Sequence, residues 1–314
     1  MRITFLDAAT LGADVDLSPF ENWSVERFPD TAPEEIGARL AKSEVAVVNK
    51  LKMNEQTLKE AQNLKLICVC ATGYDNIDLD YCKARGIGVC NVPGYSTDSV
   101  AQLTFAMALS LMGRLAEYRE FVHSGAYSES GVANKLEPVW QELRGKTWGI
   151  LGGGNIGRKV ARIAREFGCR VLIFRRKAEE EFESADLDTL CKEADILSIH
   201  LPLNEETFHI INKERIALMK RGAILINVAR GAVTDEEAVA EAFLEGRLGG
   251  LGIDVYSKEP FSKDHPFQKI LHSPRAILTP HTAWGSIEAR NRCLSEVAEN
   301  IRAFAEGEDR NRII

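Results

Sequence analysis

Three short stretches, each following an apolar run, carry an arginine, a glutamate and a histidine: "INVARGAVTDEEA" with Arg230, "GIDVYSKEP" with Glu259, and "LTPHTAWGS" with His281. An imidazole titrates near neutrality and can hand a proton to an oxygen on which negative charge develops. A carboxylate paired with it favours the protonated form, each unit of pKa being worth about 1.4 kcal/mol between the two states. A guanidinium can clamp a substrate carboxylate beside the reacting carbonyl through two parallel charge-assisted hydrogen bonds. The set suits reduction of a carbonyl carbon by hydride transfer. Singly, such residues are ordinarily surface ion pairs or polar loop residues, and His123, His200, His209, His265 and His272 are read as structural or solvated. His281 stands apart through its neighbours: Pro280 restricts the backbone, while Thr282, Ala283 and Trp284 can wall a narrow pocket.

The stretch "GILGGGNIGRKVARIAREFGCRVLIFRRK" supplies the partner for that chemistry. Gly152, Gly154 and Gly157 form G-x-G-x-x-G between an apolar strand and a helical pattern, the context in which three spaced glycines become a dinucleotide signal. Free N–H groups at the helix start would face a pyrophosphate. At the end of the second strand, where an acid would accept hydrogen bonds from the ribose 2′-hydroxyl, stand Arg175 and Arg176, followed by Lys177. A carboxylate there would repel a 2′-phosphate, whereas arginine can grip one. NADP is therefore the favoured cofactor, with NAD possible.

These groups need strand ends to hold them. At 314 residues, with 45% hydrophobic and 27% charged residues, the chain can fill two domains. Apolar runs at "RITFLD", "EVAVVNK", "KLICVCAT" and "IGVCNVP" alternate with helix-like segments in the first hundred residues. The stretch beginning "STDSVAQLTFAMAL" reads as one long helix stopping near Gly125. From Thr147 onward, "TWGIL", "RVLIF", "ADILSIH", "GAILINV", "GLGIDV" and "RAILTP" read as six strands of a doubly wound parallel sheet. Its carboxyl edge would gather Arg230, Asp254, Glu259 and His281. A last helix presents Leu294, Val297, Ala298, Ile301, Phe304 and Ala305 as one apolar stripe.

A net charge of -7 gives no support to nucleic-acid binding, and no apolar run approaches a membrane span. Seven scattered cysteines do not form a disulfide framework, which points to the cytoplasm. Cys68 and Cys70 fit a buried strand better than a metal site, so no metal is expected.

Together, the segment from "LKLICVCATGYDNIDL" to "CNVPGYSTDSVAQ", the glycine loop, "NVARGAVTDEEA", "GIDVYSKEP" and "TPHTAW" resemble the D-isomer-specific 2-hydroxyacid dehydrogenases, over most of the chain. The resemblance implies two Rossmann-like domains. A nucleotide domain of residues 97–285 would be inserted into a smaller, flavodoxin-like substrate domain of residues 1–96 and 286–314. It also implies that Arg230, Glu259 and His281 are the catalytic trio. Thr72, Gly152, Gly154, Asn155, Ile156, Gly157, Leu201, Val228, Arg230 and Asp254 would touch the cofactor, and the backbone of Ala71, Thr72 and Gly73 would face the substrate carboxylate. Within the family, the tryptophan of "PHTAW" is similar to the glycerate dehydrogenase, or hydroxypyruvate reductase, branch. That makes Lys50 a second cation for the substrate and Trp284 a cover over it. The implied activity is reduction of a small 2-keto acid, hydroxypyruvate or glyoxylate, to the D-2-hydroxy acid by a homodimer. The long helix and the loop holding Trp140 are the expected dimer contacts. The alternatives are a dehydrogenase for a larger 2-keto acid and a nucleotide-sensing protein like the family's corepressors. A formate dehydrogenase would be expected to have an amide at Glu259.

Overall fold

The computed structural model describes residues 1–175 and 181–314. Two compact units emerge, Met1–Ser96 with Trp284–Ile314, and Thr97–Ala283. The second junction falls before Trp284 rather than after residue 285. Trp284 belongs with the outer segments, where its ring meets Tyr95 edge-on at 6.3 Å.

In the unit of Met1–Ser96 and Trp284–Ile314 the strands are β1 (Arg2–Phe5), β2 (Ser24–Arg27), β3 (Val45–Val48), β4 (Leu66–Val69) and β5 (Gly88–Cys90). They pair in the order β2-β1-β3-β4-β5, all parallel, which is the flavodoxin-like arrangement. Alternate residues serve opposite faces. Val45 and Val47 join Ile3, Phe5, Leu66 and Cys68 against Leu294, Val297, Ala298 and Ile301 of the helix Ile287–Glu306. Ala46 and Val48 join Ile36, Leu40, Ile67 and Val89 on the other side. Burial on both faces is why these strands read as continuous apolar runs. Each fully buried aliphatic chain of the helix stripe contributes roughly 1.5–3 kcal/mol. Phe304 is only partly buried, and Ala305 is exposed. The edge strand β2, "SVER", carried no apolar run and was not anticipated, because it is mostly exposed.

The unit Thr97–Ala283 contains β6 (Thr147–Leu151), β7 (Arg170–Phe174), β8 (Glu183–Ser184), β9 (Ile196–Ile199), β10 (Ala223–Asn227), β11 (Leu248–Ile253) and β12 (Ala276–Leu278). Their order is β12-β11-β10-β9-β6-β7-β8, again wholly parallel. Six strands match the apolar runs; the seventh, two polar residues, leaves no pattern to find. The expected single helix is two: Thr97–Met112 and Leu115–His123, bent by 63°. Arg114 sits at φ 54, a left-handed conformation that cannot continue a right-handed helix, and Gly113 donates back to the Leu109 carbonyl at 2.8 Å to end the first one.

All seven cysteines are free and buried. Burial lifts the Cys68 thiol well above its ordinary range, and a hydrogen bond with Cys293, together with burial, does the same for Cys70, keeping both protonated. Among the described residues, no single helix is long and apolar enough to cross a membrane.

Candidate active site

Parallel strands end on one side, and the sheet order decides which ends are neighbours. Along the carboxyl edge of the seven-stranded sheet the order is β12, β11, β10, β9, β6, β7. The segments after these strands carry, in the same order, His281, Glu259, Arg230, Leu201, Gly152 and Arg175. Neighbouring strands lie ~4.8 Å apart, so the row runs from histidine to Arg175 over a distance on the order of 20 Å.

At β6 the chain turns sharply. Gly152 has φ 112, and a side chain there would meet the His200 carbonyl at 2.7 Å. A Cβ on Gly157 would fall 1.9 Å from the Gly152 oxygen, so only glycine lets the helix Asn155–Glu166 pack onto its own loop. Gly154 differs, because nothing lies within 4 Å of the place its Cβ would take. That opening precedes a helix start whose first N–H groups have no partner within the helix. Asn155 is exposed and Ile156 half-buried at this start. A dinucleotide pyrophosphate fits the arrangement: open backbone, N–H donors and the positive end of the helix dipole. Arg175 lies back across the loop, its Cδ within 2.9 Å of the position for a Gly153 Cβ. Arg176 and Lys177 lie outside the described residues. Leu201 packs beside Gly152, and Val228 is buried beyond β10. His200, which closes β9, faces Ser198 Oγ at 3.0 Å, and that hydroxyl accepts the Trp148 indole N–H at 2.9 Å. Burial pushes the His200 imidazole down to about 3, leaving it neutral.

The structure brings His281 and Glu259 together. His281 Nδ1 lies 2.7 Å from Glu259 Oε2, and the other carboxylate oxygen accepts the Tyr256 N–H at 3.0 Å. With Nδ1–H donated to Glu259, Nε2 is the atom left to carry and release a proton. His281 is held at φ 53, a left-handed conformation that costs an ordinary residue ~1–2 kcal/mol. Asp254 secures it. Its backbone carbonyl accepts the His281 N–H at 2.8 Å, and its carboxylate accepts Thr279 Oγ1 at 2.6 Å, Thr282 N at 2.8 Å and Ala283 N at 2.9 Å. Asp254, expected from the sequence at the cofactor, holds the histidine loop with its side chain and is 0% exposed.

Arg230 enters an extended residue before the turn Gly231–Val233. The Asn227 side chain brackets it, accepting from Ala229 N at 3.1 Å and donating to the Arg230 carbonyl at 2.9 Å. Arg230 Nη1 donates to the Ala229 carbonyl at 2.9 Å, which sets the direction of the guanidinium.

Within the other unit, Ala71, Thr72 and Gly73 follow β4. The Ala71 carbonyl accepts Val92 N at 3.0 Å, the Thr72 carbonyl accepts Asn91 Nδ2 at 2.7 Å, and Thr72 Oγ1 donates to the Val92 carbonyl at 3.0 Å. Lys50 and Trp284, both singled out by the resemblance, are neighbours: the ammonium lies 5.8 Å from the indole ring centroid, within cation–π range. The buried Asp7 carboxylate fixes the lysine turn by accepting the Lys50 N–H at 2.7 Å and the Asn49 N–H at 3.0 Å.

A glycine-loop cradle and a carboxylate-backed histidine on one carboxyl edge suit a nicotinamide-dependent oxidoreductase. A family model described as D-isomer specific 2-hydroxyacid dehydrogenase, NAD binding domain, matches residues 105–283. A glyoxylate reductase of Thermococcus litoralis is 41% identical over 264 residues, covering 82% of this chain and 78% of the relative. A glycerate dehydrogenase of Methylorubrum extorquens is 35% identical over 310 residues, covering 99% and 98%. Among solved structures, the D-lactate dehydrogenase from Aquifex aeolicus complexed with NAD and lactic acid superposes with a TM-score of 0.86 at 32% identity, covering 98% of this chain and 96% of that one. The chain belongs to the D-isomer specific 2-hydroxyacid dehydrogenase family, and its NAD(P)-binding domain is the inserted, seven-stranded unit.

Proposed function

We infer that the protein reduces a short 2-keto acid, hydroxypyruvate or glyoxylate, to the D-2-hydroxy acid, with NADPH preferred over NADH. The observation that carries the reading is the 2.7 Å pair of His281 and Glu259 at the carboxyl edge of the nucleotide-binding sheet. The bound nicotinamide supplies the hydride. His281 delivers the proton from Nε2 to the carbonyl oxygen, while Glu259 holds the ring in that tautomer. Arg230 orients the keto acid through its carboxylate. In the other unit, the N–H groups of Ala71, Thr72 and Gly73 and the Lys50 ammonium are the substrate donors that the family resemblance implies, the Ala71 and Thr72 carbonyls being engaged. Trp284 limits the substrate to a small one. The relatives named glyoxylate reductase and glycerate dehydrogenase support that substrate class.

Initial-rate measurements with hydroxypyruvate, glyoxylate, pyruvate and a branched 2-keto acid, each with both coenzymes, test the reading. The two small polar substrates should give the highest kcat/KM. A clear preference for the branched acid would reject the small pocket.

The coenzyme preference rests on Arg175 lying over the glycine loop, with both carboxylate oxygens of the nearby Glu181 engaged by Arg162 at 2.7 and 2.9 Å. Replacing Arg175 with aspartate puts a negative charge where a 2′-phosphate would bind. It is expected to shift the NADPH/NADH ratio of kcat/KM by about 10²-fold toward NADH, equivalent to losing about 2.7 kcal/mol of charge-assisted bonding. An unmoved ratio rules out this role. The exposed Leu115, Val122, Leu136, Val139 and Trp140, all in one stretch of the nucleotide unit, support a homodimer through that face. Seven reduced, buried thiols support a cytoplasmic location.

A further inference from the structure

We propose that Glu236 is a positioning residue for proton transfer, fixing Glu259 against His281 by clamping the peptide at Ser257. This rests on the assignment of Glu259 and His281 as the acid–base pair.

Glu236 opens the helix Glu236–Leu244, yet it does not serve that helix as a cap. Asp235 does so, accepting the Ala238 N–H at 3.1 Å. The Glu236 side chain turns instead to a segment without regular structure. Its Oε1 accepts the Ser257 N–H at 2.9 Å, and Oε2 accepts the Ser257 hydroxyl and lies 3.1 Å from His265 Nε2. The histidine tautomer follows from its other nitrogen. His265 Nδ1 accepts the Phe267 N–H at 3.2 Å, so Nε2 bears the hydrogen and donates it to Glu236. Both side chains are nearly buried, at 10% and 7% exposure, and the imidazole is enclosed by Tyr256, Phe261 and Phe267. A carboxylate held out of water must be matched by donors, and here three are aimed at it.

The peptide that the carboxylate grips lies two residues from Glu259. Tyr256, whose carbonyl forms that peptide with Ser257, donates its own N–H to Glu259 Oε1 at 3.0 Å. The same peptide is braced on two more sides. A Cβ on Gly231 would fall 2.0 Å from the Tyr256 carbonyl carbon and 2.1 Å from Ser257 N, so the chain just beyond Arg230 lies directly on it. The Tyr256 hydroxyl donates to the Thr279 carbonyl at 3.0 Å, two residues before His281. One peptide unit therefore ties the segments of Arg230, Glu259 and His281 together, and Glu236 is the polar group that holds that unit. A reacting group displaced by about 1 Å loses on the order of 10²-fold in rate, so release of this clamp is read in turnover before it is read in folding.

A double-mutant cycle on the full-length protein separates positioning from general stabilisation. Alanine at Glu236 should lower kcat for hydroxypyruvate by about 10- to 100-fold, with coenzyme Kd within about two-fold of native. Glu236→Gln, which keeps an acceptor for Ser257, should recover most of that loss. In a Glu259→Gln background, where the group being positioned is already lost, Glu236→Ala should change kcat by less than about two-fold. Equal losses in both backgrounds would overturn the proposal, as would native kcat in Glu236→Ala. If Glu236→Ala does not fold, Ser257→Ala carries the same cycle by removing a single hydrogen bond. It should lower kcat a few-fold in the native background and not at all with Glu259→Gln; any other pattern overturns the clamp. Should Glu259→Gln and His281→Ala both retain native turnover, the acid–base assignment itself is wrong, an outcome distinct from additive losses.

Discussion

Alanine in place of His281 is expected to lower kcat for keto-acid reduction by about 10³-fold, in the middle of the range for general acid catalysis, while coenzyme affinity stays within about two-fold. His281 combines an ionisable nitrogen with a carboxylate already in place behind it. The backbone complicates the alanine variant. With φ 53, position 281 suits asparagine better than alanine, so a shifted loop can add to the loss in His281→Ala. His281→Asn removes the proton donor and tolerates the left-handed conformation. Both variants should therefore fall together. Full activity in His281→Asn beside an inactive His281→Ala would mean that the loop geometry, rather than the imidazole, matters for turnover. Steady-state kinetics with hydroxypyruvate, alongside fluorescence titration of coenzyme binding, reads both quantities.

Much of this was legible in the sequence because burial writes itself locally. Strands covered on both faces appear as unbroken runs such as "VAVV" and "AILIN", and ten of the twelve strands among the described residues showed that way. The strands that escaped, β2 and β8, lie exposed at sheet edges and have no apolar pattern to betray them. The break at Gly113–Arg114 escaped for another reason: the left-handed turn at one arginine interrupts the chain without interrupting its helical periodicity, which runs on past it. At the site, the reacting groups were visible but their supports were not. Asp254 follows a strand at the binding edge, but that its carboxylate serves a loop 25 residues away leaves no mark in the sequence. Glu236 is not singled out in the sequence, and His265 reads there only as structural or solvated. Their pairing spans 29 residues and follows no period. Residues that do chemistry are recognisable by type and motif; those that hold them are recognisable only by contact.

The same distinction explains how the edge is built. Each of the three candidate side chains extends from a turn whose backbone is satisfied by a buried polar partner: Asn227 for Arg230, Glu236 for the Glu259 segment, Asp254 for His281. None of the three partners has more than 9% of its surface exposed. Fixing the backbone this way lets the reacting groups stay partly exposed and ready for ligand without wandering, which is the preorganisation that transition-state stabilisation requires.

Arg230 is where preorganisation and substrate choice meet, and its removal has the second large effect. The Arg230→Ala variant should lose about 10³-fold in kcat/KM for a 2-keto acid, about 4 kcal/mol of transition-state stabilisation. Charge alone does not account for that figure. The guanidinium is already directed by its bond to the Ala229 carbonyl, so its planar fork needs little further ordering to meet both oxygens of a carboxylate. Arg230→Lys keeps the charge but has neither the fork nor the fixed direction, and should recover only about tenfold of the loss. The decisive comparison is with substrate chemistry rather than between variants. A neutral analogue, such as pyruvamide in place of pyruvate, has no carboxylate for the arginine to hold, so native protein and Arg230→Ala should reduce it at similar kcat/KM. A thousandfold loss on the amide as well would mean that Arg230 supports the reaction in another way, because an anchor cannot matter to a substrate that offers it nothing to anchor.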